Sequence, residues 1–208
     1  MTTTHKHSTF QEFEVLEKRL LIGLFNHQDF TVDDFALEPI GNYCTTDGEY
    51  TVTTTDHRFE AKVRDISVHK YPDHFIELKK IKELLEYVKV GYKIEYIMFF
   101  QESYGYSCIV YNLSARFKEL VDKGIKRIPT YDKWLPSHTA QGGSRNYEYK
   151  PVMKLILRED IDTFIKNVEV YEGYISDFTQ PITPESTIYI TNNTITVDNT
   201  TYTTNDSQ

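Results

Sequence analysis

The sequence lacks the segments that would carry a protein into or across a membrane. Its first residues, MTTTHKHSTF, contain no apolar core of the kind found in a secretory signal. No run of about 18 apolar residues occurs, so no transmembrane helix is expected. We therefore expect a cytoplasmic protein without a membrane partner, located in the host cytoplasm if its source is viral.

Cysteine is scarce, and the common catalytic signatures are missing. Cys44 and Cys108 lie far apart with no CxxC pattern, so we expect buried free thiols in a reducing compartment. The 7 histidines lack metal-ligand spacing. No HExxH, GxSxG or P-loop pattern occurs, which argues against zinc proteases, serine hydrolases and P-loop nucleotide hydrolases.

Positive charge is also in deficit, with 23 Lys and Arg against 31 Asp and Glu and a net charge of -8. This balance argues against nucleic-acid binding through overall charge alone. It is compatible with a nuclease, because metal-binding carboxylates add negative charge and a basic groove can be local. With 39% hydrophobic and 14% aromatic residues, the chain can bury a core of one domain with an appendage.

The spacing of apolar residues predicts an α/β protein. Three- and four-residue spacing predicts helices at 10–26, 74–89, 114–123 and 159–167. Alternating or continuous apolar runs predict strands at 48–54, 57–64, 92–100, 106–113 and 149–157. This order predicts a mixed central sheet flanked by helices. In the second helix we expect Asp73 as the N-cap and Val88 on the apolar face.

The Thr/Asn-rich C-terminal stretch predicts a small β-rich appendage. We expect a core over residues 8–167 and an extension over 168–208. Within the extension, TIYIT-NN-TITV predicts a hairpin turning at Asn192-Asn193. That turn would pair Ile190 with Ile195 and Ile188 with Val197.

The sequence Glu60-Ala61-Lys62 lies in a predicted strand and carries candidate catalytic groups. Residues i and i+2 of a strand point to the same face, so Glu60 and Lys62 would lie side by side. Asp47 precedes the neighbouring strand, and a hairpin would bring its carboxylate to the same place. Carboxylates that hold a divalent cation beside a basic group suit phosphodiester hydrolysis, and oxygen ligands suit Mg²⁺ or Mn²⁺.

Two other Glu-x-Lys triplets and one other aspartate compete with this assignment. Glu77-Leu78-Lys79 would fall at a helix start, where its lysine is ordinary solvated charge. Glu148-Tyr149-Lys150 lies in a polar segment that leads into a strand and has no suitable helix after it. Asp56 lies in the predicted turn of the hairpin, where aspartate is common.

These residues resemble the PD-(D/E)xK nuclease superfamily, in the arrangement of archaeal Holliday junction resolvases. That family has an early helical Glu, an Asp that opens one strand, Glu-x-Lys on the next strand and a Lys-rich helix beyond. The matching positions are Glu17, Asp47, Glu60 and Lys62, with Glu12 and Glu14 as alternatives for the helical carboxylate. The stretch FIELKKIKELL, followed by YIMFF and YNLS, also resembles small phage-encoded nucleases. Thr46 replaces the proline of the motif.

The resemblance covers about residues 10–115 and implies a restriction-endonuclease-like fold and a Mg²⁺- or Mn²⁺-dependent endonuclease that hydrolyses DNA. It implies that Asp47, Glu60 and Glu17 hold the metal and that Lys62 activates the water or stabilises charge on the phosphate. We expect DNA along a set of lysines: Lys79, Lys80 and Lys126. Junction cutters of this family suggest a homodimer.

Two alternatives remain open from the sequence. The first is a catalytically silent nucleic-acid-binding or virion-associated structural protein that keeps the fold, which the acidic balance favours. The second is an assembly module whose C-terminal extension contacts other proteins.

Overall fold

The structure is a computed structural model that describes residues 10–38, 46–71, 73–124, 127–136, 147–156, 161–173, 188–191, 194–197 and 200–203. Its helices are α1 (Phe10–Phe25), α2 (Leu78–Lys89) and α3 (Leu113–Asp122). The first six strands are β1 (Asp34–Leu37), β2 (Gly48–Val52), β3 (Thr55–Arg64), β4 (Asp73–Glu77), β5 (Lys93–Glu102) and β6 (Gly105–Asn112). The remaining strands are β7 (Tyr131–Pro136), β8 (Tyr147–Ile156), β9 (Ile161–Val168), β10 (Ile188–Thr191), β11 (Thr194–Val197) and β12 (Thr200–Thr203).

The strands form one large mixed sheet and one small antiparallel sheet. The large sheet has the order β12-β11-β10-β1-β2-β3-β5-β6-β9, and the small sheet has the order β4-β8-β7. Within the large sheet β3 and β5 are parallel, whereas the other neighbours are antiparallel. The chain between β3 and β5 contains β4 and α2, as the crossover between parallel strands requires. The predicted mixed α/β architecture is confirmed at this level.

Each face of the large sheet is covered by its own hydrophobic core. On one face, Leu20 and Leu24 of α1 pack with Phe59 of β3 and Phe99 of β5. The core on the opposite face contains residues from α2, β5, β6 and β8: Ile81, Leu84, Tyr96, Met98, Ile109, Met153 and Leu155. β5 and β6 are buried on both faces, as their apolar runs predict.

Two of the predicted helical segments are wrong in whole or in part. The chain at 161–168 forms strand β9, which pairs with β6, where a helix was predicted at 159–167. The segment is too short for its apolar residues to distinguish the period of a helix from that of a strand. Pairing with the edge of β6 selects the strand. α2 begins at Leu78, because residues 73–77 form β4 against β8. Asp73 therefore caps no helix, and its carboxylate lies 2.6 Å from the Lys154 ammonium.

The structure also bears on the predictions for one helix residue, the two cysteines and membrane-spanning helices, and it adds three strands. Val88 is exposed and does not belong to the buried face of α2. Cys108 is a buried free thiol whose pKa is raised by burial, and Cys44 lies outside the described residues. Strands β1, β7 and β12 were not predicted. Among the helices of the described part of the chain, none is long and apolar enough to span a bilayer.

The C-terminal hairpin has the predicted register. Ile190 pairs with Ile195 and Ile188 pairs with Val197. The structure adds that β10 pairs with β1. The extension therefore lengthens the large sheet at the edge formed by β1, which the sequence pattern did not indicate.

A buried histidine, His74 of β4, makes the stability of this fold depend on pH. Its Nδ1 lies 2.6 Å from the Tyr111 hydroxyl, and its ring centroid is 4.7 Å from that of Phe100. Its Nε2 has no hydrogen-bond partner within the described residues. Burial, and secondly the charge of Arg64, lower the pKa of His74 to about 4.

We expect His74 to destabilise the protein as the pH falls from about 6.5 to about 4. In that range this histidine is protonated in the unfolded chain but neutral in the folded chain, so acidification favours unfolding. The free energy of unfolding of wild type should therefore fall more steeply with acidification than that of His74→Gln, measured by urea denaturation. His69→Gln, at an exposed histidine, is the control. Parallel pH profiles for wild type and His74→Gln would contradict the prediction.

Candidate active site

Asp47 is fixed by hydrogen bonds on every side. Its amide donates to the Phe59 carbonyl at 2.9 Å, and its own carbonyl accepts from the Glu38 amide at 3.0 Å. The Lys18 ammonium of α1 donates to the same Asp47 carbonyl at 2.9 Å. The carboxylate oxygen Oδ2 accepts from the Ala61 amide at 2.7 Å. Strands β1 and β3, together with α1, thus hold this residue just before β2.

Glu60 and Lys62 lie side by side on β3, as the strand period predicts. The Lys62 ammonium is 2.9 Å from Glu60 Oε1. From α2, the Lys80 ammonium is 3.0 Å from Glu60 Oε2. Both oxygens of this buried carboxylate therefore contact a lysine. Lys80 also lies 3.6 Å from Glu83 on its own helix.

Glu17 of α1 joins this cluster. Burial, then the negative charge of Asp47, raise the pKa of Glu17 to about 8, and Glu60 adds to the effect. Glu12, by contrast, is exposed to solvent. The helix thus brings a third carboxyl group within electrostatic range of Asp47 and Glu60.

The pKa values of Asp47, Glu60 and Lys62 are set by opposing effects of burial and of neighbouring charges. Burial raises the pKa of Asp47, but the Lys62 and Lys18 ammonium groups and the Ala61 amide outweigh it, so the net shift is downward. Burial and Asp47 raise the pKa of Glu60 against the opposing lysines. Burial lowers the pKa of Lys62, yet the surrounding carboxylates raise it well above its usual value. The Lys62 side chain is still 42% exposed, so the cluster opens to solvent.

The competing Glu-x-Lys triplets have other roles. Glu77 ends β4 and lies 3.3 Å from Lys150, which also contacts Glu148 at 3.9 Å. These residues hold the small sheet to the start of α2. Asp56 is exposed and accepts a hydrogen bond from the Thr51 hydroxyl at 2.9 Å.

Of the lysines predicted to bind DNA, two can be placed. Lys79 is exposed at the start of α2, and Lys80 points toward Glu60. Lys126 lies outside the described residues. The other lysines of α2, Lys82 and Lys89, are also exposed.

Sequence reasoning missed Lys18, whose exposed fraction is 4%. A lysine beside the predicted helical glutamate looks like ordinary surface charge, and only the tertiary contact with Asp47 gives it a role. Tyr96 was also missed. It lies opposite Glu60 in the parallel register of β5, and burial raises the pKa of its hydroxyl.

No protein-family model, curated protein or solved structure matches this chain. The chemistry of the cluster must therefore be judged from its own geometry. The carboxyl groups of Glu17, Asp47 and Glu60 lie near enough to Lys18, Lys62 and Lys80 for the lysine charges to lower their pKa values, and this cluster reaches solvent at Lys62.

The carboxylate groups of this cluster are of the donor type that a divalent cation takes. The available ligands are carboxylate oxygens, which Mg²⁺ and Mn²⁺ prefer. Burial is the main cause of the raised pKa values of Glu17 and Glu60, and the Asp47 carboxylate adds to both. Within the described residues, however, no group of three or more acidic, His or Cys side chains is already arranged to hold a metal. The Lys62 and Lys80 ammonium groups lie beside the Glu60 oxygens, where a bound cation would also lie.

We expect Lys18→Met to destabilise the protein although it retains the apolar stem. The substitution removes the ammonium that bonds the Asp47 carbonyl and lowers the pKa of Asp47. Loss of a buried, charged hydrogen bond should reduce the free energy of unfolding by about 1–3 kcal/mol, measured by urea denaturation. Lys79→Met, at an exposed lysine, should change it little. Equal stability of the two variants would show that Lys18 does not support the site.

Proposed function

We propose that this protein is a metal-dependent endonuclease of the PD-(D/E)xK type, with a restriction-endonuclease-like fold, that hydrolyses DNA phosphodiester bonds using Mg²⁺ or Mn²⁺. One observation carries the proposal. Asp47, just before β2, lies near enough to Glu60 and Lys62 of β3 and to Glu17 of α1 for their charges to shift one another's pKa values, and Lys62 reaches solvent.

The order of the elements supports the same proposal. α1 covers one face of a sheet whose β1, β2 and β3 are antiparallel, and α2 crosses to the parallel strand β5. This is the order of helical Glu, Asp, Glu-x-Lys strand and Lys-rich helix that the superfamily resemblance implies. Of the lysines of α2, Lys80 contacts Glu60 and Lys79 is exposed to solvent.

The proposed roles follow from the charges of the cluster. Asp47 and Glu60, with Glu17, would hold the cation, which supplies a polarised water and positive charge beside the scissile phosphate. The carboxylates raise the pKa of Lys62, so its ammonium form is strongly favoured. That form suits stabilisation of negative charge on the phosphate better than proton abstraction.

DNA would be held by local positive charge, since the chain as a whole carries -8. Lys79 and Lys80 at the start of α2 are the described residues proposed for phosphate contacts. Binding that depends on such contacts weakens steeply with salt. The proposed homodimer can be checked by sedimentation velocity on the whole chain.

We expect Lys62→Ala to reduce cleavage of supercoiled plasmid on the order of 10²–10⁴-fold, as loss of an acid–base or charge-stabilising group does. Mn²⁺ binding, measured by calorimetry, should survive because the carboxylates remain. Asp47→Asn and Glu60→Gln should lose both cleavage and Mn²⁺ binding. Lys82→Ala, at an exposed lysine of α2 that is not among the proposed phosphate contacts, serves as the matched lysine control for the chemical step. Wild-type turnover in Lys62→Ala would mean that Lys62 is ordinary strand surface.

The alternative is a catalytically silent nucleic-acid-binding or virion-associated protein. A specific observation favours it: both oxygens of Glu60 already contact lysines, so the cluster can satisfy its charges without a metal. Calorimetry separates the two functions. If wild type takes up no Mn²⁺ and cuts no DNA, the enzyme proposal is wrong and the silent alternative stands.

A further inference from the structure

The hairpin of β7 and β8 presents a group of exposed aromatic rings. Trp134 is 55% exposed, and Tyr149, directly opposite it in the strand register, is 69% exposed. The ring centroids of these two residues are 4.8 Å apart. Tyr147 lies on the same face, with its ring nearly parallel to that of Trp134 at 6.1 Å. We call these three residues the aromatic face.

Core packing does not account for the aromatic face. On the same side of β8, Met153 and Leu155 are buried in the core beneath the small sheet. The strand alternation continues from them through Pro151 to Tyr149 and Tyr147, which project beyond that core into solvent. Single exposed aromatics are ordinary, but a contiguous group marks a binding surface.

The aromatic face is attached close to the candidate active site. Lys150, next to Tyr149, lies 3.3 Å from Glu77, which immediately precedes α2. Lys80, in the first turn of α2, contacts Glu60 at 3.0 Å. Glu77 and Lys80 are about one helical turn apart, roughly 5 Å along the axis. A chain of direct contacts therefore links the hairpin to the candidate catalytic carboxylate.

The lysines of the hairpin lie on a different side from the aromatic rings, which are therefore suited to binding by stacking rather than by charge. Lys133 and Lys150 face each other across β7 and β8, on the opposite side of the hairpin from the rings. Lys133 lies 4.1 Å from the Phe75 ring centroid, which fixes it near the small sheet. Exposed, clustered rings are the platforms on which proteins stack the bases of single-stranded nucleic acid. A duplex keeps its base faces covered, so the rings could not stack on them.

We propose that the aromatic face binds the bases of a single-stranded DNA segment and leads it toward Glu60. Trp134 and Tyr149 would stack on successive bases. This inference rests on the proposed function for the identity of the polymer. It narrows the substrate to DNA with an unpaired segment, such as a flap, a bubble or an open junction.

The chain contains 1 tryptophan, so its fluorescence reports directly on the aromatic face. In EDTA, which prevents cleavage, an oligothymidylate of about 15 nucleotides should quench the emission of the full-length protein. A blunt duplex of the same length should not. Tyr149→Ala should weaken affinity for the oligothymidylate about tenfold or more, as the loss of one stacked base does. Tyr149→Phe, which keeps the ring, should restore it.

A matched control is Tyr104→Ala, because Tyr104 is also 55% exposed but lies at the turn between β5 and β6, beyond the end of β5 remote from Glu60. It should bind the oligothymidylate as wild type does. Trp134→Leu, followed by anisotropy of a labelled oligothymidylate, gives an independent measure. Unchanged affinity in both Tyr149→Ala and Trp134→Leu would overturn the proposal.

Two further outcomes are informative. If emission changes with protein concentration rather than with oligothymidylate, and Trp134→Leu converts a dimer to a monomer in sedimentation, the face is a protein interface and the proposal is wrong. Ring-dependent binding in EDTA, without cleavage in Mn²⁺, would uphold this inference while the nuclease proposal fails. Cleavage of DNA by wild type with no ring-dependent binding would do the reverse.

Discussion

The shared burial of opposite charges around Asp47 constrains the rest of the structure. An isolated buried carboxylate costs several kcal/mol unless charges and hydrogen bonds compensate it. Here the compensation comes from three layers: Lys18 from α1, the Ala61 amide and Lys62 from β3, and, at longer range, Lys80 from α2. The helices must therefore keep their places over the sheet, and β1 to β3 must keep their register, for the cluster to exist.

A second buried polar group shows what a purely structural arrangement looks like in this chain. On the α1 side of the sheet, His57 Nδ1 lies 2.9 Å from Glu95 Oε1, and the Tyr50 hydroxyl donates to Glu95 Oε2 at 2.5 Å. The Glu95 side chain is only 3% exposed, and both of its oxygens are satisfied inside the core. The Asp47 cluster has comparable chemistry but opens to solvent at Lys62. Access to solvent, rather than charge, distinguishes a site that could convert a substrate from a buried group that only holds strands together.

What the sequence could predict follows the range of the interactions. The adjacency of Glu60 and Lys62 and the pairing of Ile190 with Ile195 depend on a strand period of two and a local turn, so both were predictable. β9 and β4 were not, because each is selected by an edge remote in sequence, β6 and β8 respectively. Lys18 was invisible for the same reason. Its role depends on a carbonyl that only the assembled sheet presents, since a lysine beside Glu17 has no local signature.

Both oxygens of Glu60 contact lysines, so a metal could bind this carboxylate only if those lysines moved. The geometry of α2 shows how Lys80 could do so. Lys80 lies between two carboxylates, 3.0 Å from Glu60 and 3.6 Å from Glu83. Under the proposed function, a cation would displace Lys80 from Glu60. Lys80 would still have Glu83 on its own helix as a partner, so its charge would remain compensated. Lys62 is already partly exposed and can turn toward a phosphate. The same lysines that stabilise the carboxylates would then contact the DNA backbone, because bound metal neutralises the carboxylates they leave.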